Sequence, residues 1–106
     1  MTTFDKRAQG FESKLAHDEE IRFKAIARRN LEFGLWVAAK LGKTGADAER
    51  YAGEVVRREV EVGPERAVAA VKADLEQAGV ALSDHQLRAK ADELLARAIA
   101  ALRAGA

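Results

Sequence analysis

Apolar residues recur along this chain with the period of about 3.6 that marks amphipathic α-helices, and no stretch alternates with the period of two that marks a half-buried strand. In residues 2–16, Phe4, Ala8, Phe11 and Leu15 fall at i, i+4, i+7 and i+11, a narrow apolar stripe on one helical face. Arg7 and Lys14 lie along one edge of the stripe and Asp5 and Glu12 along the other, with Thr2, Lys6, Gln9 and Ser13 on the far side. Gly10 in the middle costs about 1 kcal/mol of helix stability relative to alanine, and a helix shorter than about 12–15 residues rarely holds alone. The segment has the make-up of a helix completed against something else.

The pattern then changes. His17, Asp18, Glu19 and Glu20 interrupt the stripe with polar, mostly acidic side chains, and Asp18 is placed to cap a following helix whose positive end the acids would suit. A second periodic segment, about residues 19–41, carries Phe23, Ala27, Leu31, Gly34, Ala38 and Leu41 on one expected inner face. Towards its end Phe33, Leu35, Trp36 and Val37 extend the apolar surface most of the way round, which predicts a central helix covered by more than one neighbour. Trp36 points away from the main stripe and predicts a second packing seam or a partner contact.

Gly42 is a helix stop. Thr44, with Asp47 three residues on, is a cap for a helix over about 45–61, with Ala48, Tyr51, Ala52, Val55 and Val56 inward. Gly63 and Pro64 separate it from a short helix over about 64–78 that offers Val68, Val71, Leu75 and Ala78. After Gly79, Ser83 and Gln86 form a capping box flanked by Leu82 and Leu87, and a last helix runs over about 84–103 with Leu87, Ala91, Leu94, Leu95, Ala98 and Leu102 inside. The expected fold is all-α: a compact four-helix bundle over residues 18–106, preceded by a mobile arm over residues 1–17 that is flexible or partly helical.

Composition narrows what such a bundle can do. The 106 residues carry a formal net charge of +1, so the whole-molecule field gives no help towards nucleic acid or anionic lipid. There is no cysteine, hence no disulfide framework or thiolate metal site. The longest purely apolar runs, residues 35–39 among them, are far short of the roughly 20 needed to cross a bilayer, and no secretory signal is visible. The expectation is a cytoplasmic protein without membrane insertion.

Candidate chemistry is thin. Gly42-Lys43-Thr44 resembles the end of a phosphate-binding loop, but Val37 stands where that loop needs glycine and a helix precedes it instead of a strand. Helix stop followed by helix cap accounts for the tripeptide. His17 and His85 have no histidine or cysteine at ligand spacing, and consecutive Asp18, Glu19 and Glu20 do not converge on one point, so no metal site is expected. His17 sits in the acidic stretch between arm and bundle, where a solvated histidine is the plain reading. Arg22, Lys24, Arg28 and Arg29 scatter around their helix among acids, the pattern of a solvated face, which excludes nucleic acid as the expected partner. No nucleophile, base and orienting group can be assembled, so catalysis is not expected and no cofactor is called for.

The residues do carry a resemblance. Thr2-Thr3-Phe4-Asp5, then Lys14-Leu15-Ala16-His17-Asp18, Ala27-Arg28-Arg29-Asn30 and Gly34-Leu35-Trp36-Val37-Ala38, followed by Glu54-Val55-Val56, Ala73-Asp74-Leu75 with Gly79-Val80, Ser83-Asp84-His85-Gln86 and Asp92-Glu93-Leu94, resemble the zeta subunit family of alphaproteobacterial F-type ATP synthases. The likeness runs over essentially the whole chain. Leu15 stands where an aromatic is common, Ala91 where a methionine is common, and the connection around Gly63-Pro64 differs.

The resemblance implies an inhibitor of ATP hydrolysis. Its N-terminal segment would enter a catalytic alpha–beta interface of the rotary motor, fold to a helix and block hydrolytic rotation. The partners it implies are the alpha, beta and gamma subunits of the catalytic sector, met at the cytoplasmic face of the inner membrane. Carried onto this chain, the inhibitory segment is about residues 2–17, with Phe4, Phe11 and Leu15 as wedges, Arg7 and Lys14 as charged contacts, and His17 and Asp18 as hinge. The alternative is a small regulatory module that binds a purine nucleotide weakly within the bundle, as some relatives do, with no residues assigned.

Overall fold

A computed structural model describes the backbone of residues 3–105 and the side chains of residues 17–105. It contains four helices, α1 (Thr3–Lys40), α2 (Gly45–Val62), α3 (Pro64–Gln77) and α4 (Asp84–Arg103), and no strand among the described residues. The chain is an all-α four-helix bundle, as the periodicity predicts. The central element is α1, which packs against α2 on one side and α4 on another, while α3 closes the bundle mainly against α2. Both neighbours run antiparallel to it, because Arg29 meets Glu59 while Gly34 meets Ala52, and Trp36 meets Lys90 while Arg22 lies near Ile99.

The core forms where all four helices converge. Val37, Val71, Leu75 and Leu87 are the largest fully buried side chains, joined by Phe33, Tyr51, Val55 and Leu94. The connections follow from local chemistry. Gly42, at φ 78°, lets the Lys43 amide reach the Ala38 carbonyl at 2.9 Å while its own amide donates to Ala39, the doubly bonded stop that spares a buried carbonyl. Gly79 ends α3 in the same way, with the Val80 amide on the Leu75 carbonyl at 2.8 Å. At the start of α4 the Ser83 hydroxyl accepts from the Gln86 amide and the Gln86 side chain accepts from the Ser83 amide, the predicted capping box. Thr44 has the extended backbone of a cap, but its hydroxyl makes no capping bond, and the Asp47 carboxylate accepts from Arg50 instead.

Two features of α1 differ from the expected pattern. First, the helix has no break at residues 17–20: it runs unbroken for 38 residues, so Asp18 lies inside it and caps nothing. None of His17, Asp18, Glu19 and Glu20 is a glycine or proline, and Glu20 pairs with Lys24 one turn on at 2.8 Å, so polarity here marks emergence into solvent and not a stop. Second, the inner face is rotated. Phe23, Ala27 and Leu31 are exposed, Phe23 at 76 %, whereas Ile21, Ala25, Phe33, Val37 and Ala38 are buried. The end of α2 at Val62, level with the helix just before Arg29, leaves Phe23 without a neighbour on that side. Ala27 and Leu31 run alongside α2 but are turned to the outer side of the Gly34–Ala52 contact, and Ile21 and Ala25 face α4.

Candidate functional site

A helix rises about 1.5 Å per residue, so the 14 residues of α1 from Thr3 onward that precede His17 add roughly 20 Å of helix. Arg103, the last residue of α4, lies beside Asp18 and Arg22, and α1 therefore outruns the bundle at this end. This overhang is the sequence-predicted site. Phe4, Arg7, Phe11, Lys14 and Leu15 sit on its helical backbone, and their side chains lie outside the described residues. His17 and Asp18 mark the point where α1 joins the bundle, and both are exposed. Beside them Ile21, Leu95 and Ile99 floor a groove of about 380 Å³ whose rim carries Asp18, Arg22 and Arg103.

Charges along the next turns of α1 are consumed locally. Lys24 pairs with Glu20 and Arg28 with Glu32, and the Lys24 contact holds the Glu20 carboxyl below its ordinary range. Arg29 reaches across to Glu59 on α2 at 3.3 Å while its Nε donates to Asn30, a half-buried pair that fixes the α1–α2 register. The cluster Arg22, Lys24, Arg28 and Arg29 is thus largely an ion-paired surface, consistent with the reading of its sequence pattern.

A cleft of about 290 Å³ opens at the middle of the bundle, floored by Phe33, Val55 and Val68. Its walls bear Arg29 and Arg88 together with Glu59, Glu65 and Asp92, a mixture in which carboxylates outnumber guanidiniums. Trp36 is half-buried at the edge of the core. Its ring stacks on Phe33 with centroids 6.0 Å apart, and Lys40 and Lys90 each place an ammonium 5.4 Å from its centre. The second seam expected for Trp36 is therefore its packing towards α4. On the opposite side the Tyr51 hydroxyl donates to the Asp74 carboxylate at 2.9 Å, tying α2 to α3, and burial together with this bond raises the phenol well above its ordinary range. Neither the Tyr51–Asp74 bond nor the Arg29–Glu59 pair was foreseeable from spacing, since their partners are 23 and 30 residues apart in the chain.

No group of three or more histidine, aspartate or glutamate residues gathers at metal-binding distance among the described residues, and no described helix is long and apolar enough to cross a membrane.

The described residues define a class: an all-α four-helix bundle whose central helix continues past its neighbours. Residues 1–101 match the family described as ATPase inhibitor subunit zeta, and the chain belongs to that family. A search of curated proteins found no match. The match takes in overhang and bundle alike, and the family's description makes the role that of an ATPase inhibitor.

Proposed function

We propose that this protein inhibits ATP hydrolysis by the F-type ATP synthase by inserting residues 2–17 as a helix into a catalytic alpha–beta interface, where it obstructs hydrolytic rotation of the gamma subunit. The observation that carries the reading is the family match, which extends from the first residue through the bundle. The helical backbone of α1 supports it physically. A helix growing from the folded bundle needs only propagation, not the costly first turn, so the segment can complete itself where an isolated peptide would not. Phe4, Phe11 and Leu15 act as wedges along one face, Arg7 and Lys14 meet carboxylates or backbone carbonyls, and the bundle stays outside as a stopper. The expected hinge, His17 and Asp18, lies within the unbroken α1, so the arm adjusts to the cleft by bending of that helix. The protein works in the cytoplasm, on the face of the inner membrane where the catalytic sector lies.

Magnitudes constrain the partner site. Ordering about 15 residues costs on the order of 1–2 kcal/mol each if they start disordered. Burying Phe4, Phe11 and Leu15 returns about 1.5–3 kcal/mol apiece. A flat surface cannot make up the difference, whereas a deep cleft that also engages the charged flanks and the backbone can.

The test is inhibition of ATP hydrolysis by an isolated cognate catalytic sector. The full chain inhibits and a chain beginning at Asp18 does not; equal inhibition by both would sink the arm mechanism. A second reading, weak binding of a purine nucleotide, draws support from the cleft over Phe33, Val55 and Val68 with Arg29 and Arg88 on its walls. Amide shifts that saturate on addition of ADP and centre on those residues would promote it. The carboxylates of Glu59, Glu65 and Asp92 work against a polyphosphate there.

A further inference from the structure

The cleft at the middle of the bundle keeps three charges that the fold does not use. Its floor is core surface: Phe33, Val55 and Ala67 are buried beneath it, and the small side chains of Ala67 and Ala91 leave the space open. Of the charged groups on its walls, Arg29 and Glu59 are already joined at 3.3 Å. Arg88 and Asp92 on α4 and Glu65 on α3 remain, and among the described residues none of them enters an ion pair or a side-chain hydrogen bond. The other side of α4 supplies the contrast. There Glu93 holds both Lys90 and Arg97, each at 2.8 Å. Arg88 and Asp92 share the one-turn spacing of Glu93 and Arg97, about 6 Å of rise, yet stay apart along the cleft.

A ligand here meets one guanidinium, two carboxylates and an apolar floor at once. A guanidinium takes a carboxylate through paired N–H···O bonds. The three N–H groups of an ammonium can be shared between two carboxylates, and hydrocarbon belongs on the floor. Size narrows the choice. The cleft's 290 Å³ holds about ten water molecules at roughly 30 Å³ each, the bulk of a small metabolite and far below that of a nucleoside diphosphate. With carboxylates in excess, the walls repel a polyphosphate and accept a molecule of no net charge. We propose that this cleft binds an α-amino acid with a branched or aromatic side chain, its carboxylate on Arg88, its ammonium between Asp92 and Glu65, and its side chain on Phe33, Val55 and Val68. The three charged groups are exposed at the rim, where solvent weakens each contact, so the dissociation constant is on the order of a millimolar. The proposal is independent of the arm mechanism and competes with the nucleotide reading for the same space.

The experiment adds L-phenylalanine and L-leucine to the full chain and follows its backbone amide shifts. Saturable shifts centred on Ala67, Val68 and Ala91 support the proposal. Shifts centred elsewhere, or none that saturate by about ten times the expected dissociation constant, overturn it. Phenethylamine lacks the carboxylate and hydrocinnamate lacks the ammonium, so each binds at least threefold more weakly than phenylalanine. Either one binding as tightly overturns the assignment of a zwitterion. Arg88→Gln and Asp92→Asn alter exposed, unpaired side chains, so the melting temperature stays close to that of the unaltered protein. Each weakens phenylalanine binding at least threefold; unaltered binding by both overturns the proposal. ADP supplies the last arm: shifts at the same residues with ADP and none with either amino acid give the cleft to the nucleotide and overturn the proposal. Inhibition of ATP hydrolysis enters none of these outcomes, so the arm mechanism stands or falls separately.

Discussion

Gly34 on α1 lies so close to Ala52 on α2 that a β-carbon added to it would stand 2.7 Å from the Ala52 α-carbon. That atom is backbone and cannot swing aside, so the two helices can reach this separation only with glycine at the contact. Gly53, one residue along α2, has nothing within 4 Å of a built β-carbon and faces solvent. The two glycines therefore respond to the same substitution with opposite signs. Gly34→Ala forces α1 and α2 apart and costs about 1–3 kcal/mol as overpacking, even though alanine is the better helix former. Gly53→Ala stabilises by up to about 1 kcal/mol. Urea unfolding of the two variants checks this; a stabilised Gly34→Ala would show the contact to be looser than described.

Tyr51 supplies a prediction in pH. The chain has a single tyrosine, so its ionisation is read directly in ultraviolet absorbance. Burial first, and the bond to Asp74 second, raise its folded value above the roughly 10 of an unfolded chain. A raised value favours the protonated form in the fold. The stabilisation is therefore complete below pH ~10 and is lost as pH rises from there through the folded value. Tyr51→Phe removes this term and loses one cross-helix hydrogen bond, for about 0.5–1.5 kcal/mol near neutrality. Its alkaline stability profile is flatter than that of the unaltered protein. A tyrosine titrating in the folded protein at the value of an exposed phenol would refute the assignment.

Trp36 serves stability. Its half-buried ring joins Phe33 to the two lysines on α1 and α4, so Trp36→Ala costs about 2–3 kcal/mol, at or below the 3–5 kcal/mol of a fully buried aromatic. Lys90→Ala costs much less, about 0.5–1 kcal/mol, because only one of two cations over the ring is lost. Lys90 also holds the Glu93 carboxyl below its ordinary range through their hydrogen bond, with Arg97 helping on the other side. Thermal melts of both variants, followed by tryptophan fluorescence for Lys90→Ala, check the order.

What was legible in the chain depended on how local its cause was. Capping of α4 by Ser83 and Gln86, and the glycine stops at Gly42 and Gly79, are decided within six residues and stand where the pattern puts them. Leu75, Leu87 and Val71 repeat on helices with clear polar backs and are buried as expected. The face of α1 was not legible in the same way. Apolar residues surround much of that helix, and which of them are covered depends on where α2 ends, for Phe23, and on which side of α1 it packs, for Leu31, tertiary facts that neither residue announces. Periodicity puts Gly34 in an inner stripe, yet its role as the point of closest approach needs Ala52 opposite it, 18 residues away. The continuity of α1 through residues 17–20 has a similar origin. Acidic residues at a helix start and acidic residues on an emerging helix have the same composition, and only neighbouring elements distinguish them.

The arm mechanism makes its sharpest prediction at Gly10. This residue is the weakest helix former in the overhang and stands midway between Phe4 and Leu15. If inhibition requires residues 2–17 to be helical in the cleft, replacing glycine with alanine lowers the cost of reaching that form by about 1 kcal/mol. That corresponds to inhibition tightened by up to about fivefold. Gly10→Pro has the opposite effect, because it removes a helical hydrogen bond and clashes with the preceding turn, for about 3 kcal/mol or more. Its inhibition constant rises by about two orders of magnitude. The bundle core lies beyond residue 17, so neither change shifts the melting temperature appreciably. Inhibition by the proline variant at the strength of the unaltered protein would mean that the arm binds in an extended form. Tightening by alanine together with release by proline, at constant bundle stability, would tie inhibition to helix formation in the arm.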